Sequence, residues 1–323
     1  MKTLIQLIIA ISFAFSITTC TNEKTGPEQE EFSIPGLTMD NYPIIDGSTS
    51  TESLQTVIAC NLFGISYSWI YLPWEIEYPY HILPSAGEDH TIARFLSTRA
   101  TNHTGTHQAF VNLINGYVDL ILVASTASDA ELHLADSLDV NLIEAPIALD
   151  ALVFLVNYKN PVNGLTTEQI KDIYTGKILN WAEVGGEDVK LNAYSREPNS
   201  GSQELMESLM MKDEVMSDLP DMMIYGMMGL INMIEVDEDG LGYSVNYYTR
   251  YMIRSEKVKL LEVDNYAPDN FYIASRKYGY TAEVYAIIRA DQDKNSIAYK
   301  LFNLLQTPAG QKVVAESGYV PYN

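Results

Sequence analysis

The sequence predicts an α/β fold in two lobes with a ligand cleft between them, and three observations carry that expectation. Short apolar runs such as Tyr42–Asp46, Val118–Ala124, Leu191–Tyr194 and Leu241–Val245 alternate with segments of helical periodicity, the pattern of strands layered against helices. The chain has 323 residues, enough for two lobes of about 100–150 residues each. Three helix starts are rich in hydroxyls and glycine, which places anion-attracting groups where ligands collect in α/β sheets.

Composition bounds the partners. With 42 Asp+Glu against 20 Lys+Arg the formal net charge is −22, so nucleic acid and anionic membrane surfaces are excluded as bulk electrostatic partners. The 47% hydrophobic content, with 22 Tyr and only 19% charged residues, supplies a core and excludes a disordered chain.

The first twenty residues stand outside the fold. Met1-Lys2 is a basic start and Leu4 to Ile17 is an apolar run of signal-peptide length. Residues 1–19 therefore read as an export signal, too short to serve comfortably as a membrane span of about 20 residues. Thr18-Thr19-Cys20, followed by polar residues, resembles a bacterial lipoprotein signal, which implies lipidation at Cys20 and a cell-envelope location, periplasmic or at the cell surface. Residues 20–41 carry Gly26, Pro27, acidic residues and no periodicity, so they read as a flexible tether. With Cys20 used, Cys60 is the one remaining thiol and no intrachain disulfide is expected. Its helical apolar surroundings make it a core residue.

Order begins at the strand Tyr42–Asp46. Gly47-Ser48-Thr49-Ser50-Thr51-Glu52 follows and leads into a helix, offering hydroxyls and backbone amides at its start. Alone, this also fits an ordinary N-cap. The arrangement returns at Asn102-His103-Thr104-Gly105-Thr106-His107, ahead of a helix that stops at Gly116. It returns again at Ser195-Arg196-Glu197-Pro198-Asn199-Ser200-Gly201-Ser202, between the strand Leu191–Tyr194 and a helix over about Glu204–Lys212. Together they suit a small tetrahedral oxyanion: hydroxyls and amides donate, helix dipoles favour negative charge, and Arg196 adds a bidentate counter-charge.

At this point the chain resembles the phosphate-binding proteins of phosphate ABC importers. The resemblance is carried by Asp46-Gly47-Ser48-Thr49-Ser50, Val118 to Leu122, Tyr174-x-Gly176-Lys177-Ile178-x-Asn180-Trp181, Arg196-x-x-x-Ser200-Gly201-Ser202, and the C-terminal Thr307-Pro308-Ala309-Gly310 to Gly318-Tyr319-Val320-Pro321. It implies a type II periplasmic binding protein, two α/β lobes joined by two crossover strands, that hands a small oxyanion, phosphate foremost, to an ABC permease. The implied lobes are 42–149 plus 283–323, and 150–282, with crossovers near Glu144–Asp150 and Tyr278–Ile287. The implied ligand contacts are Ser48, Thr49, Ser50, Thr104, Gly105, Thr106, Arg196, Ser200, Gly201 and Ser202. The family's proton-accepting Asp after the strand is replaced by Ala124-Ser125-Thr126, which puts Ser125 and Thr126 among the expected contacts and removes one argument for phosphate over other oxyanions. The resemblance implies a monomeric binding protein without a cofactor, touching the membrane only through its lipid. Two alternatives remain open, a surface-anchored sensor or interaction module with an altered cleft and a phosphate-ester hydrolase.

Other motifs have plainer readings. His103 and His107 share a spacing that metals use, but no third ligand is near in sequence. Met206, Met210, Met211, Met222, Met223, Met227 and Met228 fall at helical spacing and read as core filler. The aromatic stretch Tyr67–Tyr80 reads as local packing. Asp237-Glu238-Asp239-Gly240 lacks the rest of a calcium loop and reads as a turn.

Overall fold

The computed structural model describes residues 31–75, 78–85, 90–198, 200–217 and 220–323. The export signal, Cys20 and the tether up to residue 30 lie outside the described residues, so the lipidation expectation is not addressed by the fold. The expected tether is shorter than 20–41 at its C-terminal end. Ile34 is buried in the main core, and Asn41 Nδ2 donates to the Gly36 carbonyl at 2.9 Å, so an apolar anchor and a closed turn order this segment.

A mixed eight-stranded sheet organises the chain. Its path runs Ile45–Gly47, Leu120–Val123, Thr281–Arg289, Leu142–Asn157, Gly240–Val245 and Asn192–Ala193, while Val258–Leu260 and Val320–Pro321 also pair with Leu142–Asn157. Ile45–Gly47 lies parallel to Leu120–Val123, and Thr281–Arg289 is antiparallel to both of its neighbours. The 16-residue strand Leu142–Asn157 is shared by two halves of the sheet. Leu142–Ala151 pair with Thr281–Arg289, whereas Leu152–Val156 pair with Gly240–Val245. Its run Ile147 to Val156 is almost wholly apolar and buried, as expected of a strand covered on both faces. The second crossing lies beside the first: Leu152 N donates to the Tyr280 carbonyl and Tyr278 Oη to the Leu152 carbonyl, both at 2.9 Å.

Helices flank this sheet. Glu52–Phe63 packs on Pro308–Ser317, and Thr106–Ile114 packs its Phe110 and Leu113 in a second cluster with Ile121 and Ile287. The motif around Trp181 proves structural: Trp181 is buried and its Nε1 donates to the Asp239 carbonyl at 2.8 Å, and Tyr174 Oη donates to the Tyr194 carbonyl. Both hold the turn at Asp239 and the strand leading to Arg196. That strand differs from expectation. It pairs only over Asn192–Ala193, and Ser195–Arg196 leaves the sheet to pair with Met223–Ile224. The expected helix Glu204–Lys212 starts earlier, as Gly201–Leu205, and widens to a π-helical turn over Met206–Met211, where Met206, Met210 and Met211 are buried. Met222, Met227 and Met228 are partly buried against the same core, and Met227 also lines a cavity. Cys60 is buried and free, and burial pushes its thiol up to about 11. The aromatic stretch folds into the antiparallel hairpin Tyr67–Tyr71 and Tyr80–Pro84. Arg254 lies 4.8 Å from the Trp69 ring and 4.4 Å from the Tyr80 ring, while Trp74 is exposed.

Candidate functional site

A cavity of about 340 Å³ forms where four segments meet: Ser48–Ser50, Thr104–Gln108, Arg196–Pro198 and Ser200–Ser202, with Ala124, Gly226, Met227 and Val245 completing the wall.

The first segment is shaped by Gly47. A Cβ there would stand 2.1 Å from the Leu122 carbonyl oxygen, so only glycine lets this strand end pair with its neighbour. Thr51 Oγ1 then lies 2.8 Å from both the Ser48 and the Leu122 carbonyls, which share its one proton, fixing the turn into the helix Glu52–Phe63. Ser48, Thr49 and Ser50 are left along the cavity wall.

Asp46 ties the second segment to the first. Its Oδ1 accepts the Gly47 amide at 2.8 Å and the Thr104 amide at 2.9 Å. Its Oδ2 accepts the Thr104 hydroxyl and Asn112 Nδ2, both at 2.7 Å. Gly105, at φ +97°, adopts a conformation that favours glycine, and its amide donates to the Gly47 carbonyl at 3.2 Å. Ser48 Oγ and Thr106 Oγ1 lie 2.8 Å apart, and Ser48 Oγ also accepts the Ala124 amide at 3.3 Å.

The third and fourth segments bring the charge. Arg196 is only 3% exposed. Its Nη1 donates to Ser202 Oγ at 3.0 Å, and its Nε and Nη2 grip the Glu197 carboxylate at 2.9 and 3.0 Å. Three of the five guanidinium N–H donors are thus used, and two remain. Burial pushes the Glu197 carboxyl up, but the Arg196 hydrogen bonds and charge outweigh it, and the net shift is downward. Ser200 caps the helical run, with Gln203 N donating to its Oγ at 3.4 Å. Gly201 faces Thr106 so closely that a Cβ would stand 2.7 Å from Thr106 Oγ1.

The site residues expected from sequence divide cleanly. Ser48, Thr49, Ser50, Thr104, Gly105, Thr106, Arg196, Ser200, Gly201 and Ser202 all line this one cavity. Ser125 and Thr126 do not. Ala124 occupies the cavity edge where the strand Leu120–Val123 ends, and the next two residues line a neighbouring acidic depression with Asp129, Glu204 and Glu207. His107 also lines the cavity, but its Nδ1 lies 3.0 Å from Glu131 Oε1, while His103 Nδ1 lies 3.0 Å from the Thr101 carbonyl. Among the described residues, no group of three or more His, Cys, Asp or Glu side chains is placed to hold a metal ion. No helix among them is long and apolar enough to cross a membrane.

Residues 87–303, more than half of the chain, match the model of the PBP superfamily domain. The chain belongs to the PBP superfamily. Among curated relatives, the phosphate-binding protein PstS of Staphylococcus aureus is 24% identical over 239 residues, covering 72% of this chain and 71% of that protein. PstS of Borreliella burgdorferi is 24% identical over 183 residues, 55% of this chain. The match spans 65% of the Borreliella protein, just under two thirds of its length. Among solved structures, a candidate phosphate ABC transporter substrate-binding protein from Clostridium perfringens, solved with bound phosphate, aligns with TM-score 0.63 at 20% identity, covering 88% of this chain and 100% of that one. At that identity the likeness establishes the fold: two α/β lobes of the type II periplasmic binding protein, joined by crossover strands, with a cleft between them.

Within this PBP fold, several cavity features were not anticipated from the sequence. Glu197 reads in the sequence as one acid beside one arginine, an adjacency that allows an ion pair without showing that it faces a cavity. Asp46 reads as a strand terminus, and its part in holding Thr104 depends on a contact 58 residues away. Gln108, Met227 and Val245 carry no local signal, since each reaches the cavity only through the packing of elements distant in sequence, and of Ala124-Ser125-Thr126 it is Ala124 that reaches the cavity.

Proposed function

We propose that this chain is an extracytoplasmic solute-binding protein that captures a small tetrahedral oxyanion, phosphate foremost, for an ABC importer. The observation that carries the reading is one cavity combining a nearly solvent-free Arg196 with hydroxyls from three separate segments. The ligand contacts in this reading are Ser48, Thr49, Ser50, Thr104, Gly105, Thr106, Arg196, Ser200, Gly201 and Ser202. The relatives, phosphate-binding proteins PstS and a candidate phosphate ABC transporter substrate-binding protein, support phosphate as the ligand and an ABC transporter as the partner.

One lobe comprises about 42–149 with 283–323 and the other about 150–282. The exchange of strand partners at Ala151 and Leu152 supports that division. Each lobe then supplies part of the cavity, and an anion bridging them favours the closed arrangement by contacts that exist only there. The near-contact of Gly201 with Thr106 fits a closed cleft. The export signal at 1–19 and the lipid at Cys20 place the protein in the cell envelope as a tethered monomer. In this reading the role is binding without catalysis: the cavity offers donors to an anion and a guanidinium held by Glu197.

Calorimetry on the folded protein, freed of carried-over anion, tests this with phosphate, arsenate, sulfate and molybdate. One site per chain for at least one of them is expected; no heat with any of the four would remove the importer reading.

A further inference from the structure

A cavity lined by hydroxyls and an arginine holds any tetrahedral oxyanion, yet phosphate and sulfate differ in one chemical respect. Near neutral pH phosphate carries a proton on one oxygen and sulfate carries none, so a site selects phosphate by offering that proton an acceptor lone pair with no hydrogen free to turn toward the ligand. Most groups on this wall are donors or donors by rotation. Ser48 and Thr106 exchange a hydrogen bond in which either can donate, and Arg196 only donates. Glu197 is an acceptor, but its Oε1 is taken by Arg196 Nη2 and the Gly226 amide and its Oε2 by Arg196 Nε, so its carboxylate is turned to the guanidinium.

Thr104 is different. It is exposed on the cavity wall, and its Oγ1 lies 2.7 Å from Asp46 Oδ2. The other donors around that carboxylate are N–H groups: the Gly47 and Thr104 amides on Oδ1, and Asn112 Nδ2 on Oδ2. Asp46 is therefore an acceptor on both oxygens, and the Thr104 hydroxyl proton must point toward it. What remains on Thr104 Oγ1 is lone pairs. Asn112 Nδ2 stands 3.5 Å from that oxygen, a marginal contact that engages at most one of the two.

We propose that Thr104, with its hydroxyl proton committed to the buried Asp46, is the acceptor that makes this cavity select a protonated oxyanion, hydrogen phosphate or hydrogen arsenate, over sulfate. Thr104 touches the anion, and Asp46 is a positioning residue that sets which way the hydroxyl points. The inference rests on the oxyanion reading of this cavity. Sulfate in the same place would set an unprotonated oxygen against the lone pairs of Thr104, with no hydrogen between them, and lose affinity by repulsion.

The test is the ratio of phosphate to sulfate affinity, by calorimetry near pH 8, in the unmodified protein, Thr104→Val and Asp46→Asn. The unmodified protein is expected to favour phosphate by at least about 100-fold, the scale of a site whose polar partner is left unsatisfied by the wrong ligand. Thr104→Val keeps the shape and removes the acceptor, so phosphate affinity falls about tenfold or more while sulfate affinity does not fall. Asp46→Asn puts an amide donor against Thr104 Oγ1 and turns the hydroxyl outward, so sulfate binding strengthens relative to phosphate. A merely structural Asp46 would instead weaken both anions alike. An unchanged ratio in Thr104→Val, which removes one hydroxyl and leaves Asp46 its three N–H donors, overturns the proposal even where Asp46→Asn fails to fold. Equal affinity for the two anions in the unmodified protein also overturns it and leaves the oxyanion reading standing, whereas binding of neither anion removes both.

Discussion

Arg196 shows how much one side chain is asked to do. A guanidinium at 3% exposure is costly unless paired, and Glu197 supplies the pairing while leaving two donors unspent. Hydrogen bonds to a charged group contribute about 1.5–3 kcal/mol each, so Arg196→Ala is expected to weaken oxyanion binding by roughly 100-fold or more in calorimetry, and an unchanged affinity would mean the anion binds elsewhere. At this scale the site was largely legible. Hydroxyls beside glycine at helix starts are a local signature, and so is an arginine four residues ahead of Ser-Gly-Ser, because capping and anion binding use the same short stretch of backbone. The part played by Asp46 is not legible, since it is set by partners brought near by the sheet. The placement of Ser125 and Thr126 outside the cavity has the same origin: counting along a strand cannot tell which residue is the last to face the cleft.

The elements decide whether the segments can meet. Gly201 and Thr106 approach so closely that Gly201→Ala forces a Cβ to within 2.7 Å of a hydroxyl oxygen. That variant is expected to bind the anion at least about tenfold more weakly with little change in unfolding temperature, because the steric cost arises only when the two segments come together. Thermal unfolding alongside calorimetry separates this from a folding defect, which would lower both. The long strand Leu142–Asn157 holds a second feature. Asp150 is 1% exposed, accepts the amides of Ala151 and Tyr247 at 2.8 and 2.9 Å, and has no partner for Oδ2 among the described residues. Burial pushes its carboxyl up to about 7 from 3.8, against the lowering effect of the amides. Tyr247 and Tyr319, stacked with ring centroids 3.8 Å apart, are the titratable neighbours on the packed elements.

Because the folded state holds that proton more tightly than the unfolded chain, stability is expected to fall as pH rises from about 4 toward 7, by up to about 1.4 kcal/mol per pH unit from this group. Asp150→Asn is therefore expected to raise the unfolding temperature more at pH 8 than at pH 4.5, and an equal change at both would show that Asp150 does not titrate in this window. The α/β alternation that positions these elements was legible from periodicity, and the crossovers were expected near 144–150 and 278–287. What periodicity could not reveal was that one strand serves both halves of the sheet, since pairing depends on register between distant segments. The departure of Ser195–Arg196 from the sheet was hidden for the same reason.

At the scale of the whole molecule, a net charge of −22 surrounds a site read as taking an anion. The two are compatible because exposed charges are screened beyond about 8 Å at physiological salt, while Arg196 and the hydroxyls act at contact distance inside the cavity. The acidic exterior repels an approaching anion, so the association rate of phosphate in stopped-flow measurements is expected to rise with added neutral chloride salt. A rate that falls with salt would show that a local positive field governs encounter. Family follows from residues 87–303 and fold from a likeness over 88% of the chain, whereas the oxyanion reading turns on one volume of about 340 Å³. A crystal structure of the protein grown with phosphate tests that reading most directly. The account predicts one phosphate within hydrogen-bonding distance of Arg196, of the Ser200–Ser202 segment and of the Ser48–Ser50 and Thr104–Thr106 segments together, and a phosphate bound elsewhere with this cavity holding only water would contradict it.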